Sequence, residues 1–113
     1  MFALTSSHHY HLYRRPCDMR KSFDGLAGLV RDELGHEPTG GDVFIFINRR
    51  RTHLKLLQWQ RGGFVLYYKR LEQGTFALPE VDEHTTAVSW PQLVLMIEGI
   101  RVERSVQLPR YER

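Results

Sequence analysis

The stretch VFIFINRRRTHLKLLQWQRGGFVLYYKRL, residues 43–71, decides the architecture. Val43 to Ile47 is an unbroken run of β-branched and aromatic residues, the pattern of a strand buried on both faces. Asn48 to Thr52 is a polar turn. His53 to Gln60 and Phe64 to Leu71 read as two more strands, with Arg61, Gly62 and Gly63 turning between them. The three segments predict an antiparallel meander. In its third strand Phe64, Leu66 and Tyr68 point one way and Val65, Tyr67 and Lys69 the other, and both sets are mainly apolar.

N-terminal to this core, His8 to Arg14 reads as a short strand stopped by Pro16. Asp18 stands where a helix N-cap is expected. Phe23, Leu26, Ala27, Val30 and Leu34 follow as one apolar stripe at helical spacing, and Gly35 fits a left-handed C-cap. Gly25 and Gly28 each cost roughly 1 kcal/mol against Ala, and would let the helix lie close against the sheet. C-terminal to the core, Thr75 to Leu78 and Thr85 to Val88 are expected to extend the sheet. Ser89 and Gln92 have the spacing of a capping box, with Pro91 tolerated in the first turn. The helix they open, with Leu93, Val94, Met96 and Ile97, is almost wholly apolar up to Gly99, which implies deep burial or a partner surface. The fold class is therefore α+β: a small antiparallel β-meander of about four to five strands packed with two helices. Residues 1–100 form one domain and 101–113 a polar tail.

At 113 residues, 42% hydrophobic and 26% charged, the composition is globular and allows one modest core. No apolar run approaches a membrane span, the N-terminus lacks the pattern of a signal peptide, and a single cysteine, Cys17, excludes an internal disulfide framework. A cytoplasmic protein with no membrane partner is the expectation.

Charge is segregated. Residues 43–70 carry Arg49, Arg50, Arg51, Lys55, Arg61, Lys69 and Arg70 and no acid, a local charge of +7. Residues 71–100 carry Glu72, Glu80, Asp82, Glu83 and Glu98 and no Lys or Arg, a local charge of −5. If the fold keeps these segments apart, one end attracts phosphate and the other docks a basic partner or repels DNA. Three consecutive arginines at a hairpin tip suit phosphate and guanine edges, and gain little structurally with no acid nearby. The expected nucleic-acid surface is Arg49, Arg50, Arg51, His53, Lys55, Lys69, Arg70, Arg20 and Lys21, with Arg14 and Arg15 extending it. Trp59, Phe64, Tyr67 and Tyr68 could stack single-stranded bases, but a small sheet needs such rings for its core, which is the preferred reading. The expected partner-binding set is Leu93, Met96, Glu72 and Glu83.

Catalytic, cofactor and metal roles are not expected. His8 and His9 point to opposite faces of a strand, and neither they nor His11 pair with a cysteine or carboxylate at a recognised ligand spacing. Metal-dependent strand transfer needs several carboxylates converging on two ions. Here Asp18, Asp24, Asp32 and Glu33 lie on or beside one helix, and Asp82 and Glu83 lie in a loop. No Gly-x-x-x-x-Gly-Lys phosphate loop is present.

Four segments in order carry a resemblance: Asp18-Met19-Arg20-Lys21-Ser22-Phe23-Asp24-Gly25-Leu26; Gly41-Asp42-Val43-Phe44-Ile45-Phe46-Ile47-Asn48-Arg49-Arg50; Leu54-Lys55-Leu56-Leu57-Gln58-Trp59; and Tyr68-Lys69-Arg70-Leu71-Glu72 with Gly74. Together with Leu95-Met96-Ile97-Glu98-Gly99-Ile100, they resemble the TnpB-type, or Orf-two-like, accessory protein of the IS-sixty-six group of bacterial insertion sequences. The resemblance covers roughly residues 5–100. It implies an accessory role in transposition beside a separate, larger acidic-triad transposase and another small element-encoded protein, and it supplies no catalytic residues. Arg51 departs from the family pattern, standing where many relatives carry Gly. The functional expectation is a non-catalytic factor that contacts DNA, at element ends or non-specifically, through its basic hairpin. The alternative is a module that bridges the transposase and the other small protein without touching DNA.

Overall fold

The computed structural model describes residues 4–79 and 85–98. Its chain order is β1 (Tyr10–Leu12), α1 (Phe23–Leu29) with a π-helical continuation (Val30–Leu34), β2 (Val43–Ile47), β3 (His53–Gln60), β4 (Gly63–Arg70), β5 (Ala87–Val88) and α2 (Trp90–Glu98). These strands form one five-stranded sheet in the order β4-β3-β2-β1-β5. The fold is α+β, and the meander β2-β3-β4 is antiparallel throughout, with Ile45 opposite Leu56 and Leu56 opposite Tyr67.

Every residue of β2 is buried, as its continuous apolar run demands. Val43, Ile45 and Ile47 face one core with Tyr10, Leu12, Leu54, Leu56 and Phe76, covered by Leu93 and Met96 of α2. Phe44 and Phe46 face a second core with Tyr13, Cys17 and Leu57, covered by Leu26 and Ala27 of α1 and Val30 of its π-helical continuation. The sheet is thus filled on both sides, one helix to each face. Burial of apolar surface at roughly 25 cal/mol per Å² makes these two cores the main stabilising term.

Several expectations are corrected. Strand β1 pairs with β2 in parallel, Tyr10 opposite Val43, so β1-α1-β2 is a crossover unit and not part of the meander. Thr75 to Leu78 is not a strand; Phe76 instead sinks into the core and donates its backbone N–H to the Arg51 carbonyl at 2.7 Å. Strand β5 crosses to the far edge and pairs with β1. Asp18 does not cap α1, whose N-cap is Ser22. The Asp18 carboxylate accepts instead from the Arg20 backbone and guanidinium. A β-carbon at Gly25 would meet Lys21 and one at Gly28 would meet nothing, so these glycines do not mark a close approach to the sheet.

The helix ends follow their signals. Gly35 takes the left-handed conformation at φ 70° and closes the helical segment. At α2, Ser89 N–H donates to Gln92 Oε1 at 2.8 Å and Gln92 N–H to Ser89 Oγ at 3.2 Å, the reciprocal capping box. Residues 80–84 and 99–113 lie outside the described residues, and with them Glu83, Gly99 and the expected tail. Among the described residues no helix is long and apolar enough to cross a membrane.

Candidate nucleic-acid interface

The β2–β3 connection is built by Asn48. Its Oδ1 accepts from the backbone N–H of Thr52 and of His53, both at 2.9 Å, and its Nδ2 donates to Thr52 Oγ1 at 3.1 Å. Asn48 O accepts from Arg51 N–H at 3.0 Å, which closes the tip. Arg51 sits at φ 61°, a left-handed position that favours glycine. With the backbone consumed inward, Arg49, Arg50 and Arg51 project into solvent, and among the described residues none forms an ion pair.

The parallel β1–β2 pairing places this tip beside the end of β1. Leu12, Tyr13, Arg14, Arg15 and Pro16 on one side and Ile47, Asn48, Arg49 and Arg51 on the other line a cleft of about 300 Å³. Arg14 is half-buried there. Its Nε donates to the Thr85 carbonyl at 3.1 Å, while its Nη2 is buried with no partner among the described residues. Arg15 is largely exposed and only 3.5 Å from Glu33 at the closest approach. Four arginines thus line one cleft beyond the C-terminal ends of two strands.

The other expected basic residues are placed differently. Lys55 is buried, and its Nζ donates to the carbonyls of Met19 and Lys21, each at 2.7 Å, beside the Tyr68 ring at 4.6 Å. Lys55 is a structural cation and is no part of the basic surface. Lys69 reaches across to α2 and donates to the Ile97 carbonyl at 2.8 Å, where a cation complements the helix C-terminus. Arg70 pairs with Glu72 at 2.9 Å and Arg20 with Asp18 at 2.8 Å, both at the surface. Lys21 is exposed without an ion pair among the described residues. The His53 ring nitrogen lies 2.8 Å from Thr52 Oγ1, inside the turn network. The arginine pair at Asp18 holds that carboxyl at about 2, well below its ordinary value. Burial pushes the Cys17 thiol upward, which keeps it protonated and unreactive.

The expected partner set is also corrected. Leu93 and Met96 are core residues with almost no exposed surface, because the inward stripe of α2 packs on the sheet. The exposed apolar residues of this helix are Val94, at 37%, and Leu95, at 65%. Glu72 is exposed but already engaged by Arg70. Most sheet aromatics are at least partly buried, as expected, and Trp59 packs edge-on against Phe64 at 4.9 Å; Tyr68 is 52% exposed.

This geometry defines a small α+β protein whose distinctive surface is an arginine-lined cleft at a hairpin tip. The chain belongs to the family described as IS66 Orf2 like protein, whose model matches residues 8–107. It is similar to two uncharacterized proteins of Sinorhizobium fredii. It is 33% identical to y4jC over 93 residues, covering 80% of each chain, and 37% identical to y4hO over 84 residues, 74% of this chain and 72% of that one. No solved structure matches it. Family membership supports an accessory role in insertion-sequence transposition.

Proposed function

We propose that this protein is a non-catalytic transposition accessory factor that holds DNA phosphate in the cleft between the end of β1 and the β2–β3 tip. The observation that carries the reading is the cleft that Arg14, Arg15, Arg49 and Arg51 line together, with Arg49 and Arg51 making no ion pair among the described residues. The surrounding guanidinium forks suit phosphate bidentately. Contacts of this kind supply affinity without reading sequence, so binding is expected to be strongly salt-dependent and weakly selective among duplexes. Titration of labelled duplex DNA with purified protein at low salt tests it. Saturable binding that weakens as salt rises supports the reading; absence of binding at the lowest salt contradicts it.

A second role is favoured by one observation, the exposed Val94 and Leu95 on the outer side of α2. They fit a contact to the transposase or to the other small element-encoded protein. Co-purification of the element's proteins with the parent chain and with Leu95→Ala tests it: loss of capture in the variant supports the contact, and unchanged capture contradicts it.

A further inference from the structure

A second cluster lies on the α1 side of the sheet, at the opposite end of β1 from the arginine cleft. His11 on β1 turns toward this face, and its Nε2 lies 2.9 Å from Asp42 Oδ2. Asp42 immediately precedes β2, where the parallel register sets His11 against Phe44 and so brings Asp42 onto the same face two residues earlier. His36 follows the left-handed Gly35 that ends the helical segment, and its N–H is fixed to the Val30 carbonyl at 3.1 Å. Its ring lies 4.2 Å from that of His11, and both rest against Phe44. One potential ligand atom from each of His11, His36 and Asp42 lies within 4.8 Å of the other two.

We propose that His11, His36 and Asp42 form a binding site for a divalent transition ion of the zinc type. An Asp–His hydrogen bond accounts for His11 and Asp42 but not for His36, whose ring makes no hydrogen bond among the described residues and is set against a second imidazole. Two imidazoles and a carboxylate are a donor set for zinc; magnesium and calcium favour all-oxygen shells. Bonds of about 2.0–2.2 Å to one tetrahedral ion set ligand atoms roughly 3.4 Å apart, so His11 and Asp42, at 2.9 Å, are already close enough and the approach falls on His36 in the 35–42 loop. The far nitrogen of His11, Nδ1, lies 3.3 Å from Thr86 Oγ1, which orients the ring from behind. Asp42 also lines a groove with His8, His9, Trp59 and Arg61. A bound ion would cross-link β1 to the loop that connects α1 with β2, and would stabilise the folded state by mass action.

The test uses tag-free full-length protein, stripped with chelator and titrated calorimetrically with zinc alone. The expected result is one ion per chain, a rise in unfolding temperature with zinc, and no such response to magnesium. His36→Gln and Asp42→Asn, both at loop positions, are each expected to weaken zinc binding at least about tenfold while leaving the unfolding temperature of the metal-free protein within a few degrees. A His8→Ala/His9→Ala double variant should bind as the parent does. Absence of zinc binding overturns the proposal. So does binding that survives both His36→Gln and Asp42→Asn, or binding that is lost in the His8/His9 variant.

Discussion

The ammonium of Lys55 donates to the carbonyl of Lys21 at 2.7 Å, tying the middle of β3 to a segment 34 residues earlier in the chain. A second bond to Met19 O at 2.7 Å fixes the same loop. Together they make the shared Asp18–Gly25 segment architectural, because its backbone carbonyls complete the coordination of a buried cation and set the entry to α1. Replacing Lys55 with Met keeps the stem and removes both bonds. Hydrogen bonds to charged groups are worth about 1.5–3 kcal/mol each; the two together, less the cost of burying the ammonium that Met does not incur, set the expected loss of Lys55→Met at about 2–4 kcal/mol in denaturant unfolding, with the salt dependence of DNA binding unchanged. A loss below about 0.5 kcal/mol would show that the ammonium is not held there.

Arg51 occupies a left-handed position at φ 61°. That conformation costs a non-glycine residue about 1–2 kcal/mol, and glycine nothing. Arg51→Gly is therefore expected to raise stability by up to about 1 kcal/mol, once the greater flexibility of glycine in the unfolded chain is allowed for. The same change removes one phosphate contact and should lower the salt slope of DNA binding by about 0.9. Thermal unfolding and a salt series on the one variant read the two effects separately. A lower unfolding temperature would refute the conformational assignment.

The two sides of α2 should respond oppositely to truncation. Leu93 is fully buried under the sheet, and Leu93→Ala should cost about 2–5 kcal/mol. Leu95 is 65% exposed, and Leu95→Ala should stay within about 0.5 kcal/mol of the parent. Chemical denaturation of the pair decides whether the helix packs on this face.

The Asp18 carboxyl is held at about 2 against an ordinary 3.8 by the Arg20 side chain, then by the Arg20 backbone. A depressed acid contributes stability above its unfolded value and loses it as pH falls through the folded one, so the contribution of this exposed pair is whole above about pH 4 and disappears toward pH 2. Carboxyl NMR titration should place the Asp18 midpoint near 2, and Arg20→Ala should return it toward 3.8. A parent midpoint at the ordinary value would mean that the pair does not form in solution.

How much of this was legible depended on the range of the interaction. The meander was legible because β2 is continuously apolar and its turns are local. The capping box of α2 and the left-handed Gly35 were legible for the same reason. The parallel pairing of β1 with β2 was not, since a three-residue strand carries too little pattern to announce a crossover partner; consequently the meeting of Arg14 and Arg15 with the tip was visible only as an extension of charge. Alternation assigned a face to Lys55 but said nothing of the Met19 and Lys21 carbonyls that cover it. In α2, apolar residues all round gave no inner side, so Leu93 and Met96 stood for the partner surface when Val94 and Leu95 are the exposed residues. His11, His36 and Asp42 are distant in sequence and match no ligand spacing; only the β1-α1-β2 crossover unites them.

The central claim is that DNA is held by the arginines of the β2–β3 tip and the adjoining end of β1. The most direct measurement is the slope of log affinity against log salt for duplex DNA, compared between the parent chain, an Arg49→Ala/Arg50→Ala/Arg51→Ala variant and an Arg20→Ala/Arg70→Ala control. At about 0.9 per phosphate neutralised, five arginines set the parent slope at about −4.5, which should fall in magnitude by about 2.7 in the tip variant and stay unchanged in the control. A tip variant with the parent's slope, or a control that loses as much as the tip variant, would contradict the account.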